Sequence, residues 1–265
     1  MSLWPDDRRA AVSVTFDNLG EAAEIQLGLR SADDELGGHY SVEVGLPIVL
    51  DELESAGLGA TFFVEGVNGE AYPDALRTIA AAGHELGFHA YCHEEWGSLT
   101  PAEEAANLDR GLAALRDGAG LQVRGFRPPG GQIGPTTPTL LAERGVSYCS
   151  PAGVTPSGDG VVMLPFDWTA VDVFHVLPQF EEPRAHLTGT AEPGGPEAAK
   201  TAMLTAIDAA IETGGHIVLV FHTWIAEHER PQLHEILSRI ADHAASGDLW
   251  AARCDAVATW IGERR

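Results

Sequence analysis

At 265 residues and 45% apolar content, the chain has material for one large α/β domain or two small ones, and its composition is that of an ordinary globular protein. The balance of 16 Lys and Arg against 39 Asp and Glu gives a formal net charge of −23, which argues against nucleic acid or an anionic membrane surface as a partner. No apolar run approaches the roughly 20 residues a membrane helix needs.

The N-terminal "MSLWPDDRRA" lacks a basic region followed by an apolar core, so no signal peptide is expected. Cys92, Cys149 and Cys254 form an odd set without close spacing, which argues against a disulfide framework. The expectation is a cytoplasmic protein in a reducing compartment, with a small-molecule substrate and no membrane or nucleic-acid partner.

Taken in chain order, strand-like runs rich in Val, Phe and Ile fall at 11–17, 60–66, 85–90, 123–129, 146–150, 161–168, 216–222 and 249–254. Helical patterns sit between many of them. "TPAEEAANLDRGLAALRDG" offers Thr100 as N-cap, Pro101 at the first helical position, Glu103 to complete a capping box and Gly118 as a stop. "TPTLLAERG" repeats the device with Thr137, Pro138 and Gly145, and two further amphipathic segments run from 195 and from 230 to glycine stops. Strands alternating with helices imply parallel strands joined by crossovers, and seven or eight units suggest a barrel over 1–265 without a domain boundary. Residues 20–41 and 175–198 break the rhythm; loops of that length are functional lids or interface elements, so a homo-oligomer stays open.

Polar clusters close several strands: Asp17 and Asn18, then His89 and His93, then Arg127 with two prolines and two glycines, then Asp167 and Trp168, then His222. Each has an ordinary reading, as a helix cap, a turn anchor or a packed core residue. Parallel α/β folds gather the C-terminal ends of their strands on one face, so five clusters at the same kind of position converge.

In order, Thr15-Phe16-Asp17-Asn18, His89-Ala90-Tyr91-Cys92-His93, Arg127-Pro128-Pro129-Gly130, Asp167-Trp168 and Leu219-Val220-Phe221-His222 resemble the five motifs of the polysaccharide deacetylase superfamily, the NodB-homology or carbohydrate esterase family four domains. Asn18 stands where that family has a metal-binding aspartate, and Ala90 where it has Ser or Thr. These departures and the long loop after the first strand look more like the branch with cyclic imidases, allantoinase-like enzymes and some peptidoglycan deacetylases.

The resemblance implies a distorted (β/α)7 TIM-like barrel with its site at the C-terminal strand ends and one divalent metal held by His89, His93 and Asn18. Zinc is the first choice because imidazoles suit it, with cobalt, nickel and manganese as alternatives. An amide in place of a carboxylate should weaken the metal and sharpen its polarising power. Asp17 is implied as general base with Arg127 orienting it, and His222 as general acid with Asp167 raising its pKa. Gly130 is implied near the oxyanion, with Trp168 and Tyr91 in contact with substrate. The implied activity is metal-dependent hydrolysis of a non-peptide C–N bond, first as N-deacetylation of an N-acetylated amino sugar or related small carbohydrate. Ring opening of a cyclic imide or ureide is the alternative, and a metal-free binding barrel a lesser one. Glu21 and Glu24 offer a replacement carboxylate, although acids in a first helical turn have an ordinary role there.

Overall fold

In the computed structural model, which describes residues 3–153 and 160–264, all eight expected strands are present. They are β1 (Ala10–Asp17), β2 (Thr61–Val64), β3 (Glu85–Phe88), β4 (Gly125–Phe126), β5 (Tyr148–Cys149), β6 (Val162–Met163), β7 (His216–His222) and β8 (Leu249–Ala251). Most are shorter than the apolar runs that announce them, because each run continues past the hydrogen-bonded ladder into a loop. Every pairing is parallel, in the order β6-β5-β4-β3-β2-β1-β7. Among the described residues, the two outer strands, β6 and β7, are joined through the segment after β6, where Val171 makes a single parallel bridge to Val220. The result is the distorted seven-stranded α/β barrel.

β8 has a different task. β7 occupies one edge of β1 from Ala11 to Asp17, and β2 takes the upper part of the other edge, from Thr15. β8 fills the lower part of that edge, pairing with Ala10, Ala11 and Val12.

β1 is buried along its whole length, as a strand covered on both faces must be. Its alternate residues divide the labour. Val12, Val14 and Phe16 join the large core formed with the surrounding helices, where the Phe16 ring stacks on Phe62 at 5.0 Å and on Phe221 at 5.5 Å. Ser13, Thr15 and Asp17 point the other way and carry hydrogen-bonding groups toward the barrel axis.

The Pro101–Ala119 helix begins as its sequence announces, with Thr100 Oγ1 accepting from the Glu103 N–H and Glu103 accepting from the Thr100 N–H at 2.8 Å. Its stop lies two residues later than expected, at Gly120, which takes the left-handed conformation at φ 74°. Gly118 lies inside the helix for another reason: a Cβ there would sit 1.8 Å from the Gly69 carbonyl oxygen, so only glycine lets the two segments approach. The last long helix, Ala226–Ser246, also starts earlier than its pattern suggests and carries Pro231 within it. Thr137 is not a cap; its hydroxyl is buried, accepting from Gly134 and donating to Glu104. Among the described residues no helix is long and apolar enough to cross a membrane.

Candidate active site

The strand register places the first pair of functional side chains. Asp17, at the end of β1, is the ladder partner of His222, at the end of β7, so the two stand on neighbouring strands about 4.8 Å apart. Asp17 is buried and accepts from Arg127 Nη1 at 2.7 Å. Arg127 is almost wholly enclosed at 1% exposure, and its fork also donates to Thr15 Oγ1 and Ser150 Oγ at 2.7 and 2.9 Å. Its guanidinium lies over the Phe63 ring at 4.2 Å. A buried cation held on so many sides is a fixed positive charge that orients one carboxylate.

The two histidines follow β3. His89 Nδ1 lies 2.8 Å from the Arg127 carbonyl oxygen, which can only accept; that nitrogen therefore carries the proton and Nε2 is left with its lone pair. Burial, aided by the charge of Arg127, pushes His89 down to about 3, and burial together with His89 pushes His93 down to about 3. Both are neutral imidazoles near pH 7, the form that binds a metal. Their rings are 5.1 Å apart.

The backbone here is unusual. Asn18, Ala90 and His93 all adopt left-handed conformations, with φ of 60°, 62° and 60°. Such residues each cost about 1 kcal/mol or more and persist where surrounding bonds over-determine them. Ala90 and Tyr91 are held in this way, their carbonyls accepting from Gly66 and Val67 at 2.8 and 2.9 Å.

The third member of the cluster is Glu65, immediately after β2. Ligand atoms of Glu65, His89 and His93 all lie within 4.8 Å of one another. Glu65 is fully buried; its Oε2 accepts from the Leu19 N–H and from Asn68, at 3.2 and 3.0 Å, whereas Oε1 has no partner. Burial raises its carboxyl to about 8. Asn18 Oδ1 is likewise buried without a partner. Two neutral imidazoles and two orphaned oxygens are a donor set that fits a divalent cation.

On the opposite side, His222 Nδ1 lies 2.6 Å from Asp172 Oδ1, and Asp172 Oδ2 accepts the His222 backbone N–H at 2.7 Å. Burial works against the charged ring, but the charge and hydrogen bond of Asp172, helped by Asp17, outweigh it and raise His222 above its ordinary value.

The structure therefore corrects two expected partners. Asp167 does not touch His222: it is exposed, and its carboxylate caps the turn of Trp168–Ala170 by accepting from the Thr169 N–H and hydroxyl at 2.8 and 2.7 Å. Tyr91 does not line the pocket; its hydroxyl donates to Glu70 at 3.2 Å and Arg110 stacks on its ring at 3.5 Å. Glu21 is not a replacement ligand either, since it accepts from Tyr72 and from the Gly37 N–H at 2.7 and 2.9 Å. Glu24 sits at the pocket edge with its Oε1 3.4 Å from His39 Nε2.

Sequence reasoning missed Glu65 and Asp172. Glu65 carries the same signal as Asp17, an acid directly after a buried apolar strand ("TFFVEG"). Asp172 is an acid between two valines in "AVDVFH", where a solvated carboxylate is out of place.

Asp17, Asn18, His89, His93, Arg127 and His222 all open onto one cavity of about 610 Å³, with Gly130 and Trp168 also on its wall. Both long loops contribute to its rim, through residues such as Leu29 and Phe180.

Residues 6–149 match the family profile described as Polysaccharide deacetylase. The chain is 31% identical over 121 residues to the peptidoglycan deacetylase of Helicobacter pylori, a match covering 46% of this chain and 41% of that protein. The chain thus spans less than half the length of this curated relative. A crystal structure of a Mycobacterium smegmatis protein assigned to the polysaccharide deacetylases superposes with a TM-score of 0.83 and 30% identity, covering 98% of this chain and 93% of the other. The crystal structure of PuuE allantoinase gives 0.73 at 19% identity, covering 98% and 93%, a likeness of fold alone.

Proposed function

Because the chain belongs to the polysaccharide deacetylase family, we propose that it is a metal-dependent hydrolase of carbon–nitrogen bonds other than peptide bonds, an N-deacylase that frees an amine from its acyl group. The observation that carries this reading is one cavity floor with two distinct halves. On one side lies a neutral histidine pair, backed by the buried and orphaned Glu65 carboxylate; on the other lies a histidine raised toward its charged form.

His89, His93 and Glu65 would hold the metal, with Asn18 Oδ1 as a further oxygen. A divalent cation there supplies Lewis acidity to the amide carbonyl and to a nearby water. The chain's own residues do the rest. Asp17, fixed by Arg127, accepts a proton from the attacking water. His222 carries a proton on the ring nitrogen that faces away from Asp172 and delivers it to the departing nitrogen. The Gly131 N–H is already bonded to the Pro128 carbonyl at 2.9 Å, so Gly130 is the glycine of that loop left to meet the developing oxyanion.

The name of the Helicobacter pylori relative supports an N-acetylated amino sugar as the substrate. Ring opening of a cyclic imide or ureide is the second reading, favoured by the allantoinase-like fold with its cavity rimmed by both long loops. Zinc is the proposed metal. The test is acetate release from N-acetylglucosamine derivatives beside ring opening of hydantoin or succinimide, by protein stripped with a chelator and reloaded with zinc, cobalt, nickel or manganese. Activity that appears only after reloading and falls about 10²-fold or more in Asp17→Ala is the expected result. Full activity in metal-free protein would remove the metal from the reading.

A further inference from the structure

Behind the acid half of the site stands a second carboxyl group. Glu229 lies in the first turn of the helix Ala226–Ser246 and is buried at 7% exposure. It shares a small cavity of about 10 Å³ with Asp172, His222 and Gln232, a space with room for about one water. His222 alone lines both this cavity and the large one that holds the histidine pair. Much of the remaining wall is apolar, including Phe16, Phe221, Met203 and Leu233.

An ionised carboxylate in this place has little to hold it. Lys200, on the same wall, is already bonded to Glu197 and Glu235 at 2.9 and 2.8 Å. From the helix Asp172–Val176 Glu229 meets another carboxylate, from β7 the ring that this carboxylate holds, and from β1 only Phe16. Its Oε1 is buried without a partner, as is Oε1 of Gln232 on the next turn. A buried carboxyl with neither a cation nor a donor to itself keeps its proton. Burial does raise Glu229 above the usual carboxylate range, with Asp172 adding to the rise and His222 opposing it.

A protonated carboxyl is a donor, and Asp172 has an acceptor to spare. Its Oδ1 accepts from the Val173 N–H at 2.5 Å and faces His222 Nδ1 at 2.6 Å, whereas Oδ2 accepts only the His222 N–H, at 2.7 Å. Of the about four lone-pair sites of a carboxylate, one on Oδ2 stays open.

We propose that Glu229 is a positioning residue for His222, donating a hydrogen bond to Asp172 Oδ2 across the one-water cavity and so tempering the hold of Asp172 on the ring. A carboxylate that accepts this further donor grips the imidazolium less hard, which leaves His222 a stronger acid toward the departing nitrogen. The use of His222 as an acid rests on the deacylase reading; the hydrogen bond does not.

The experiment compares zinc-loaded wild type with Glu229→Leu and Glu229→Gln, each checked for folding by circular dichroism. Infrared difference spectra at pH 7, wild type minus either variant, should contain the deuterium-sensitive carbonyl band of a protonated carboxyl. On an N-acetylated substrate Glu229→Leu should lower kcat about 10-fold with KM unchanged, the loss expected for one hydrogen bond to a charged group, and move the alkaline limb of kcat upward. Glu229→Gln keeps the size and an N–H donor, and should recover most of both changes. Difference spectra without that band, Glu229→Leu with kcat and limb unmoved, or Glu229→Gln no better than Glu229→Leu would each overturn the proposal. The infrared band and the His222 titration followed by NMR need no turnover. If no metal supports turnover, the deacylase falls while the band and an upward NMR shift in Glu229→Leu still uphold Glu229; turnover with no band lost does the reverse.

Discussion

Replacing Asp172 by Asn tests the acid half of the site. Its two oxygens hold the His222 ring and backbone at 2.6 and 2.7 Å, so an amide keeps the shape and removes the charge. Two unit charges about 4 Å apart attract by about 4 kcal/mol at an effective dielectric of about 20, so removing the charge of Asp172 lowers the titration of His222. Burial already opposes the charged ring, so without Asp172 His222 should fall below its ordinary 6.5. The amide can also present its NH2 to Nδ1, which leaves the far nitrogen protonated but on a neutral ring, a far weaker acid than the imidazolium. Turnover at pH 7 should drop about 10²- to 10⁴-fold. The sign of the pH dependence follows. His222 acts while protonated, so wild-type kcat persists above 6.5 and declines as pH climbs through the raised value, and Asp172→Asn shifts that alkaline limb downward. The assay is a kcat profile against pH, with the His222 resonance followed by NMR. Asp167→Asn is the matched control, expected within about 2-fold of wild type because that carboxylate serves only an exposed turn. A larger loss in Asp167→Asn than in Asp172→Asn, or an unmoved alkaline limb in the latter, would refute the assignment.

Three other outcomes are expected. Glu65→Gln should weaken zinc binding about 10-fold or more in competition with a chromophoric chelator, since even outer partners of metal ligands contribute 10- to 100-fold. Glu85 is raised to about 7, chiefly by burial and then by Asp255, against 4.5 when exposed. The folded state then binds the extra proton, so stability is full below about 4.5, declines as pH rises and has lost about 3 kcal/mol above pH 7; Glu85→Gln should flatten this slope in urea titrations. Gly118→Ala should lower the midpoint of thermal unfolding, by about 1–3 kcal/mol of stability or more, because its methyl meets the Gly69 carbonyl.

The barrel was legible because most strand residues are buried, which leaves runs rich in Val, Phe and Ile between the helical patterns. The floor was legible for a related reason: Asp17, His89, Arg127 and His222 each interrupt or end such a run, and strand ends converge. Asp172 and Glu65 were harder to find. Asp172 acts from a short helix that reaches β7 across the gap, a proximity that no local pattern carries. Glu65 does end a strand, but its worth depends on meeting His89 and His93 from the neighbouring strand. The Asp167 expectation failed because an acid before a turn serves the nearest amide, here that of Thr169, before any distant ring.

The seam between β6 and β7 bears on how such a catalyst diversifies. Along it the backbone is fastened by the Val171–Val220 bridge and by a carboxylate that accepts a main-chain amide. β1, β2, β3 and β7 are stitched by ladders of three or more residue pairs, so this seam is a place where the girth can alter without repacking them. A small change in the stretch around Val171 would widen or narrow the gap between His222 and the His89–His93 pair. A shift of that one hinge would move His222 and leave the His89, His93 and Arg127 side as it is.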